Sequence, residues 1–294
     1  MISMDRISRI CFGCEPLGGT DWGVVDRSEI ARAIEFALEN GVNFFDTADV
    51  YGLGMSETLL SDILGERRHD VMIATKGGMA WNAPQKGERA KIRRDSSPKY
   101  LKSAVDASLR RLRIDCIPLF YIHWPDEETL ISETFSCLAE LKDQGKIGRV
   151  GCSNFSLHQI VEARRFCEIS ALQLPVNMLN APLDPDIQEL SIGEKIPIIA
   201  YNVLANGLLT GKYDHDSRFP ENDRRARLPL FNGEQFKRAL DRVEIMRTEA
   251  KTLGLSCSQY AINSVLRLPG VLSVIVGIKS VSQLRENVAN LVKL

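Results

Sequence analysis

Four side chains with acid–base chemistry follow short apolar runs that have the length of β-strands. These side chains are Asp46, Tyr51, Lys76 and His123. Polar groups that gather at the carboxyl ends of successive strands usually form an active site. A carboxylate, a phenol, an ammonium group and an imidazole at one such face can move a proton, so the four indicate a site for proton transfer.

The apolar runs alternate with segments whose apolar residues recur at helical spacing. The eight runs cover residues 10–12, 42–45, 71–75, 117–122, 149–152, 171–176, 196–200 and 272–276. The clearest helices are predicted over about 26–40, 98–113, 128–144 and 234–253. Near-continuous apolarity in a strand is typical of a parallel sheet that is buried under helices.

Eight strand–helix units in 294 residues predict an α/β fold, and one α/β architecture fits this number of units best. This is a closed (β/α)8 TIM barrel that forms a single domain over residues 1–294, with the active site at the C-terminal face of the strands. The alternation of strands and helices alone also allows a doubly wound sheet, which is the alternative fold.

The bulk composition argues against nucleic-acid and membrane partners. The chain is 44% hydrophobic and 26% charged, and its formal net charge is -1. Such a charge creates no long-range field for nucleic acid or an acidic membrane surface. The N-terminus has no apolar signal segment, and no run of about 18 apolar residues predicts a transmembrane helix. We therefore expect a cytoplasmic protein without a nucleic-acid or membrane partner.

Seven cysteines are scattered along the chain. An odd number without regular spacing favours reduced thiols in a cytosol over a disulfide framework. Cys11 and Cys14 form a C-x-x-C pair, which leaves a metal or redox role as an alternative to ordinary strand packing. A zinc site would need further ligands at short spacing, and the next histidine is His69. The sequence therefore predicts no metal.

Three common fingerprints are incomplete. Residues 52–57 lack the third glycine of the dinucleotide motif, residues 207–212 miss the P-loop spacing, and residues 151–155 lack the last glycine of the hydrolase elbow. A nicotinamide cofactor, if present, is therefore not held as in Rossmann domains. The longest irregular stretches, 77–97 and 211–233, are predicted to be functional lids or disordered insertions.

Several longer motifs occur in order along the chain. They are Asn43–Gly52 (NFFDTADVYG), Thr75–Gly78 (TKGG), Ser108–Leu112 (SLRRL), His123–Asp126 (HWPD), Gly145–Gly148 (GKIG), Gly151–Phe155 (GCSNF) and Gly207–Lys212 (GLLTGK). On these motifs the sequence resembles the aldo-keto reductases over essentially its full length. The resemblance implies an NADP(H)-dependent oxidoreductase that interconverts an aldehyde or ketone and the corresponding alcohol.

The resemblance also implies a role for each of the four residues. Tyr51 would be the general acid and base that exchanges a proton with the substrate oxygen. An isolated tyrosine has a pKa of about 10, and the ammonium group of Lys76 would lower it. Asp46 would pair with Lys76 and offset the cost of burying its charge. His123 would hydrogen-bond and orient the substrate oxygen.

Further motif positions imply a cofactor site. By resemblance, the nicotinamide and pyrophosphate would be bound by Ser153, Asn154, Gln173, Tyr201, Leu204, Gly207 and Leu209. Among these, the ring of Tyr201 would stack on the nicotinamide. The ribose, its 2′-phosphate and the adenine would be bound by Lys279, Ser280, Gln283, Glu286 and Asn287. NADPH is the expected cofactor, and NADH stays possible because some relatives have an arginine where this chain has Gln283.

Three tryptophans, Trp22, Trp81 and Trp124, follow strand ends and are the candidate substrate-binding residues. A pocket with such side chains suits a small-molecule carbonyl or sugar-like substrate. Two other functions stay open. One is a cofactor-sensing regulatory subunit that resembles potassium-channel β-subunits, and the other is a pseudoenzyme that only binds the cofactor. The intact set of four residues favours the enzyme.

Overall fold

The eight apolar runs form a closed parallel barrel in the computed structural model, which describes residues 2–82, 90–180, 182–289 and 291. In chain order the strands are β1 (Ile10–Gly13), β2 (Phe44–Asp46), β3 (Met72–Gly77), β4 (Met79–Trp81), β5 (Ile92–Arg94), β6 (Leu119–Ile122), β7 (Val150–Ser153), β8 (Ile169–Pro175), β9 (Ile198–Tyr201) and β10 (Val271–Gly277). The order around the barrel is β1, β10, β9, β8, β7, β6, β3 and β2, and β2 pairs again with β1. The predicted barrel is confirmed, and the doubly wound alternative is wrong.

Each barrel strand is followed in the chain by at least one helix. The helices are α1 (Arg27–Glu39), α2 (Met55–Leu64), α3 (Pro98–Leu112), α4 (Ile131–Asp143), α5 (Leu157–Ala163), α6 (Pro185–Gly193), α7 (Gly233–Thr252), α8 (Cys257–Leu266) and α9 (Val281–Val288). Three of the four predicted helices agree within one residue at each end, but α4 begins at Ile131 and not at Glu128. The carboxylate of Asp126 accepts hydrogen bonds from the backbone of Glu128 and the hydroxyl of Thr129, which holds a turn ahead of the helix.

Successive residues of each barrel strand point alternately outward to the helices and into the barrel. The outward side chains, such as Phe12, Phe45 and Phe120, join the helices in the large hydrophobic core. The inward side chains form a separate cluster, which we call the barrel floor. The barrel floor contains Ile7, Cys11, Phe44, Met72, Ala74, Leu119, Tyr121, Ala171 and Ile199. It fills the interior, so the barrel is a packed core and not a pore.

Gly151 in β7 makes room for the largest side chain of the barrel floor. A Cβ atom at Gly151 would lie 2.3 Å from a ring carbon of Tyr121, which is fully buried. Any larger residue at this position would displace the ring, because the closely packed interior leaves no space beside it. Glycine here is therefore required by packing.

The predicted irregular stretch 77–97 contains an antiparallel hairpin of β4 and β5. Residues 83–89, between the two strands, lie outside the described residues. Each strand of the hairpin has only three residues, which is too short for a periodic sequence signal.

The stretch 211–233 is held in place by aromatic packing. Its rings of Tyr213, Phe219 and Phe231 meet one another edge to face, with centroids 5.1 to 6.1 Å apart. Asp223 in the same stretch forms an antiparallel bridge with Trp22, in the loop after β1. The 211–233 segment is therefore an ordered connection that reaches across to another loop.

The seven cysteines carry free thiols, and Cys11 and Cys14 are fully buried. Within the described ranges, no group of three or more His, Cys, Asp or Glu side chains could hold a metal ion. No helix in that part of the chain is both long and apolar enough to cross a membrane.

Candidate active site

Five site residues lie two positions beyond residues of the barrel floor, four on the same strand and His123 one residue past the end of β6. The pairs are Phe44 and Asp46, Ala74 and Lys76, Tyr121 and His123, Ala171 and Gln173, and Ile199 and Tyr201. Residues two apart in a strand point to the same side, so these polar side chains converge above the barrel floor. The strand register alone therefore gathers them at the C-terminal face.

A cleft with a volume of about 1130 Å³ opens at this face. Of the predicted site residues, its lining includes Trp22, Asp46, Tyr51, His123, Trp124, Ser153, Asn154, Gln173, Tyr201, Leu204, Gly207, Lys279, Gln283, Glu286 and Asn287. Lys76 is 1% exposed and lies against this lining through its contact with Asp46.

Lys76 and Asp46 form a buried ion pair. Nζ of Lys76 lies 2.6 Å from Oδ1 of Asp46 and donates a second hydrogen bond, of 2.8 Å, to the carbonyl oxygen of Thr47. Oδ2 of Asp46 accepts a 2.8 Å bond from Nε2 of Gln173, which reaches it from the opposite side of the barrel. Burial raises the pKa of Asp46, and Lys76 and Gln173 offset part of that rise. Each partner thus lowers the cost of burying the other.

Tyr51 lies beside this pair, on the loop after β2. Its ring centroid is 5.0 Å from Nζ of Lys76 and 5.8 Å from the ring centroid of His123, and the two rings meet at 83°. A close backbone approach fixes the loop, since a Cβ atom on Gly18 would lie 2.7 Å from the backbone nitrogen of Gly52. The phenol, the ammonium group and the imidazole are therefore neighbours in one corner of the cleft.

Burial dominates the protonation of Tyr51 and His123. It raises the pKa of Tyr51 well above the ordinary value, and the carboxylates of Glu15 and Asp46 raise it further. The net shift is opposite to the one predicted from Lys76, because burial is the largest cause of the shift. Burial, together with the charge of Lys76, holds the pKa of His123 well below its ordinary value. At neutral pH the site therefore contains a protonated phenol and a neutral imidazole.

Asn154 connects the candidate nicotinamide residues. Its Nδ2 donates hydrogen bonds to the carbonyl oxygen of His123 at 3.0 Å and to Oγ of Ser153 at 3.1 Å. Its Oδ1 accepts a 2.7 Å hydrogen bond from the hydroxyl of Tyr201. Its φ of 63° is in the left-handed region, which asparagine tolerates better than most residues. The structure thus places these candidates on one wall of the cleft.

The loop after β9 follows a left-handed backbone path. Ala205, Asn206 and Gly207 have φ values of 46°, 55° and 90°. Leu204 and Gly207 line the cleft. Leu209 is instead 1% exposed and packs between the loop and α7 in a second hydrophobic cluster. The side chain of Leu209 therefore supports the loop and does not line the cleft, whereas Leu204 and Gly207 do.

The candidate adenosine residues differ in how they face the cleft. Lys279, Gln283, Glu286 and Asn287 line it, but Ser280 does not. The hydroxyl of Ser280 caps α9 by accepting a 3.2 Å hydrogen bond from the backbone N–H of Gln283. Oε1 of Gln283 accepts a 2.9 Å bond from the backbone of Lys279. This end of the cleft therefore combines the N-terminus of α9 with the ammonium group of Lys279.

Two of the three tryptophans are walls of the cleft. Trp22 has the guanidinium of Arg224 at 5.5 Å from its ring, and Trp124 has that of Arg94 at 5.3 Å. Trp81 lies in β4 and is not part of the lining. Met79 and Ile92, which share its face of the hairpin, do line the cleft, so Trp81 lies next to the lining but is not part of it.

Comparison with known proteins gives the family. The family model described as the Aldo/keto reductase family matches residues 9–294. The chain belongs to the aldo-keto reductases. The barrel, the cleft and the arrangement of Asp46, Tyr51, Lys76 and His123 agree with that membership.

Several relatives of this aldo-keto reductase are similar over most of their length. The aldo-keto reductase YhdN of Bacillus subtilis is 34% identical over 266 residues, which cover 90% of this chain and 78% of YhdN. The NADP(+) aldo-keto reductase yakc of Schizosaccharomyces pombe is 31% identical over 295 residues, which cover 97% of this chain and 84% of that protein. The glycerol dehydrogenase AKR11B4 of Gluconobacter oxydans matches in structure with a TM-score of 0.88 and 34% identity, covering 97% of this chain and 87% of that one.

The sequence predicts no role for two cationic side chains of this aldo-keto reductase. Lys212 and Arg225 line the cleft and lie near enough to Lys279 to lower the pKa of its ammonium group, after burial as the larger cause. Asp223 balances part of this charge and is bonded to Arg225 at 2.8 and 2.5 Å. Three cations that share one carboxylate favour an anionic ligand. The sequence shows several arginines in the 211–233 segment but does not tell which of them turns inward.

Asp49 is a further residue of the reductase to which the motifs assign no role. Its side chain is 1% exposed, Oδ2 accepts a 3.4 Å bond from the hydroxyl of Tyr100, and Oδ1 has no partner among the described residues. Behind it, Glu57 and Arg111 form an ion pair of 2.6 Å. Burial, and then the charge of Glu57, raise the pKa of Asp49 well above its ordinary value, while Arg111 lowers it in part. Its carboxyl therefore keeps a proton to higher pH than an exposed aspartate.

We expect Asp49→Asn to stabilise the reductase in mildly alkaline solution. A folded-state pKa above the unfolded one gives stability that is present in acid and is lost as pH rises towards the folded pKa. The amide has no charge to bury, so its melting temperature should exceed that of the wild type by a few degrees at about pH 8, at about 2–4 °C per kcal/mol. The two curves should converge towards about pH 4, near the ordinary aspartate pKa. Asp241→Asn, an exposed change on α7, is the control; a wild type that melts higher at the alkaline pH would contradict the expectation.

Proposed function

We propose that this protein reduces aldehydes or ketones to alcohols with NADPH and catalyses the reverse oxidation with NADP+. Membership in the aldo-keto reductases supports the reaction class. The observation that supports the site is the buried pair of Lys76 and Asp46 beside Tyr51 and His123 in one corner of the cleft. The relatives are named as reductases and a dehydrogenase, which favours an enzyme over a channel subunit or a pseudoenzyme.

The cleft suits a nicotinamide dinucleotide. One end offers amide and hydroxyl groups with the flat ring of Tyr201, and the other offers cations that suit phosphate groups. Nδ1 of His123 is buried without a hydrogen-bond partner in the described part of the chain, so the cleft also has a polar atom for a ligand. The residues that would hold the cofactor are Ser153, Asn154, Gln173, Tyr201, Leu204, Gly207, Lys212, Arg225, Lys279, Gln283, Glu286 and Asn287.

The protein's own part in the reaction is to move a proton. When bound, the nicotinamide supplies or accepts the hydride. Tyr51 is protonated at neutral pH and donates that proton to the substrate oxygen, which leaves a phenolate 5.0 Å from Nζ of Lys76, measured to the ring centroid. His123 is neutral and hydrogen-bonds the same oxygen to orient it. In the oxidation, the phenolate takes the proton of the alcohol.

Steady-state turnover tests this function. The intact protein is mixed with NADPH and a panel of aldehydes, ketones and aldoses, and loss of NADPH absorbance is followed. We expect carbonyl-dependent turnover with part of the panel. Cofactor binding without turnover on any carbonyl would contradict the proposal and favour the regulatory alternative.

We expect Lys279→Ala to weaken NADPH binding far more than NADH binding. Lys279 lines the cleft, and its Nζ donates a 2.8 Å bond to the carbonyl oxygen of Trp22. Loss of one charge-assisted contact with the 2′-phosphate should cost about 1.5–3 kcal/mol, or about a factor of ten to a hundred in affinity. Fluorescence titration with both cofactors measures this, with Lys251→Ala at the exposed end of α7 as the control. Equal weakening of both cofactors would refute the assignment.

A cytoplasmic location and a small-molecule carbonyl or sugar-like substrate complete the proposal. The free thiols of the cysteines suit a reducing compartment. The net charge of -1 gives no reason to expect nucleic acid or an acidic membrane surface as a partner. Fractionation of the cells that express the protein would test the location.

A further inference from the structure

Arg224 and Glu15 form a further ion pair, and both side chains line the cleft. Nη1 of Arg224 is 2.6 Å from Oε1 of Glu15, and the two side chains are 36% and 31% exposed. Both residues line the same cleft as Tyr51 and His123. Neither takes part in the proton transfer described above, yet a ligand in the cleft can reach both.

Glu15 is held firmly beside the reacting groups. The backbone N–H of the preceding residue, Cys14, donates a 2.8 Å bond to the carbonyl oxygen of Asp46. The hydroxyl of Ser56 donates a 2.8 Å bond to the carbonyl oxygen of Cys14. After burial, Glu15 is the largest cause of the raised pKa of Tyr51, so its carboxylate is close enough to act on the phenol.

Arg224 reaches the carboxylate from the 211–233 segment. Its backbone N–H donates a 2.8 Å bond to the carbonyl oxygen of Asp21, and its guanidinium lies 5.5 Å from the ring of Trp22. The loop after β1 and the 211–233 segment therefore join at this ion pair. Its charge acts on Tyr51 in the direction opposite to that of Glu15.

Ligand groups of different chemistry would meet this ion pair at different cost. An anionic group would have to displace Glu15 from Arg224 while that carboxylate stays in place and repels it. An apolar group would cover two charges and offer them no hydrogen bond, which is costly. A hydroxyl group can donate to the carboxylate and accept from the guanidinium at once, so it fits the pair without breaking it.

We propose that Glu15 and Arg224 determine substrate specificity by selecting carbonyl compounds that carry a hydroxyl group next to the reacting carbon. The inference rests on the proposed carbonyl reduction and adds the substrate class. The carboxylate accepts the hydrogen bond of the substrate hydroxyl, and the guanidinium donates one to its oxygen. Both residues then position the substrate beside Tyr51.

The experiment compares glycolaldehyde with propanal, which differ only in a hydroxyl group in place of a methyl group. We expect the wild type to favour glycolaldehyde in kcat/KM. Glu15→Gln and Arg224→Met should lower the ratio of the two kcat/KM values by about 10–100-fold, mainly through KM for glycolaldehyde. Arg224→Lys keeps the charge and should restore part of the ratio. Glu140→Gln, which breaks the exposed pair of Glu140 and Lys102, should leave the ratio unchanged.

Each other outcome overturns a distinct step. No turnover of either aldehyde by the wild type would refute carbonyl reduction itself. Equal loss of both activities in Glu15→Gln and Arg224→Lys, with both variants folded by thermal melting, would show that the pair only supports the cleft. A wild type that prefers succinic semialdehyde, with that preference lost in Arg224→Met, would show that Arg224 binds anions and not hydroxyl groups.

Discussion

Replacing Tyr51 by phenylalanine should lower kcat and kcat/KM together by about a hundred- to ten-thousand-fold, the range of general acid catalysis. The phenol acts on charge that develops on the substrate oxygen, so its loss should fall on the chemical step. Cofactor affinity should stay close to the wild-type value, because the ring remains beside Lys76 and His123. Steady-state kinetics and cofactor titration measure the two quantities.

The pH dependence sharpens the test of Tyr51. Its pKa lies well above the ordinary value, so the protonated form that reduction needs persists from neutral into alkaline solution. We expect reduction to be level over this range, whereas oxidation, which needs the phenolate, should rise with pH. Tyr260→Phe removes a phenol that bonds Glu249 on the outer helices and is the matched control. Near-normal kcat in Tyr51→Phe would show that another group donates the proton.

Lys76→Met should abolish most activity at neutral pH and lower the melting temperature as well. The stem of the side chain remains, but Asp46 loses the partner at 2.6 Å and stays buried with Gln173 alone. Breaking one side of a buried pair costs about 3–5 kcal/mol. The uncompensated carboxylate also disfavours the phenolate of Tyr51, since Asp46 already raises the pKa of that phenol.

The pH dependence of the melting temperature distinguishes an unpaired Asp46 carboxylate from a simple loss of packing in Lys76→Met. Without Lys76 the folded-state pKa of Asp46 rises further, so stability is present in acid and is lost as pH rises. The deficit in melting temperature should therefore grow from about pH 5 to about pH 8. Lys102→Met removes an exposed partner of Glu140 and should change neither activity nor the pH dependence. A deficit that does not vary with pH would leave only packing as the cause.

The barrel is predictable from the sequence because its strands are buried on both faces. Several differences lie at the strand ends, and β2, β7 and β9 each extend one polar residue beyond the apolar run. The added residues are Asp46, Ser153 and Tyr201. A polar side chain that points into the active site is part of the strand but carries no apolar signal. The sequence pattern therefore ends the strand one residue before the site.

Long-range contacts explain what the sequence does not reveal. The motifs predict Lys76 and Tyr51 as partners, but the net pKa of Tyr51 depends on burial and on Glu15, from another loop. The inward turn of Arg224 and Arg225 depends on contacts of the 211–233 segment with the loop after β1. Ser280 and Leu209 occupy motif positions, yet one caps a helix and the other is buried. A motif identifies the segment that forms part of the site, but the packing of the folded chain determines which way each of its side chains faces.

The two-residue step from the barrel floor to the site limits how this protein can evolve. One residue inserted or deleted between Ala74 and Lys76 would reverse the direction of the following side chain and turn the ammonium group towards the helices. Asp46 would then lose its partner and Tyr51 its neighbouring cation. Insertions beyond the strand ends leave every register intact. New substrate ranges can therefore arise by changes in loop length, while the strands accept substitutions but no change in length.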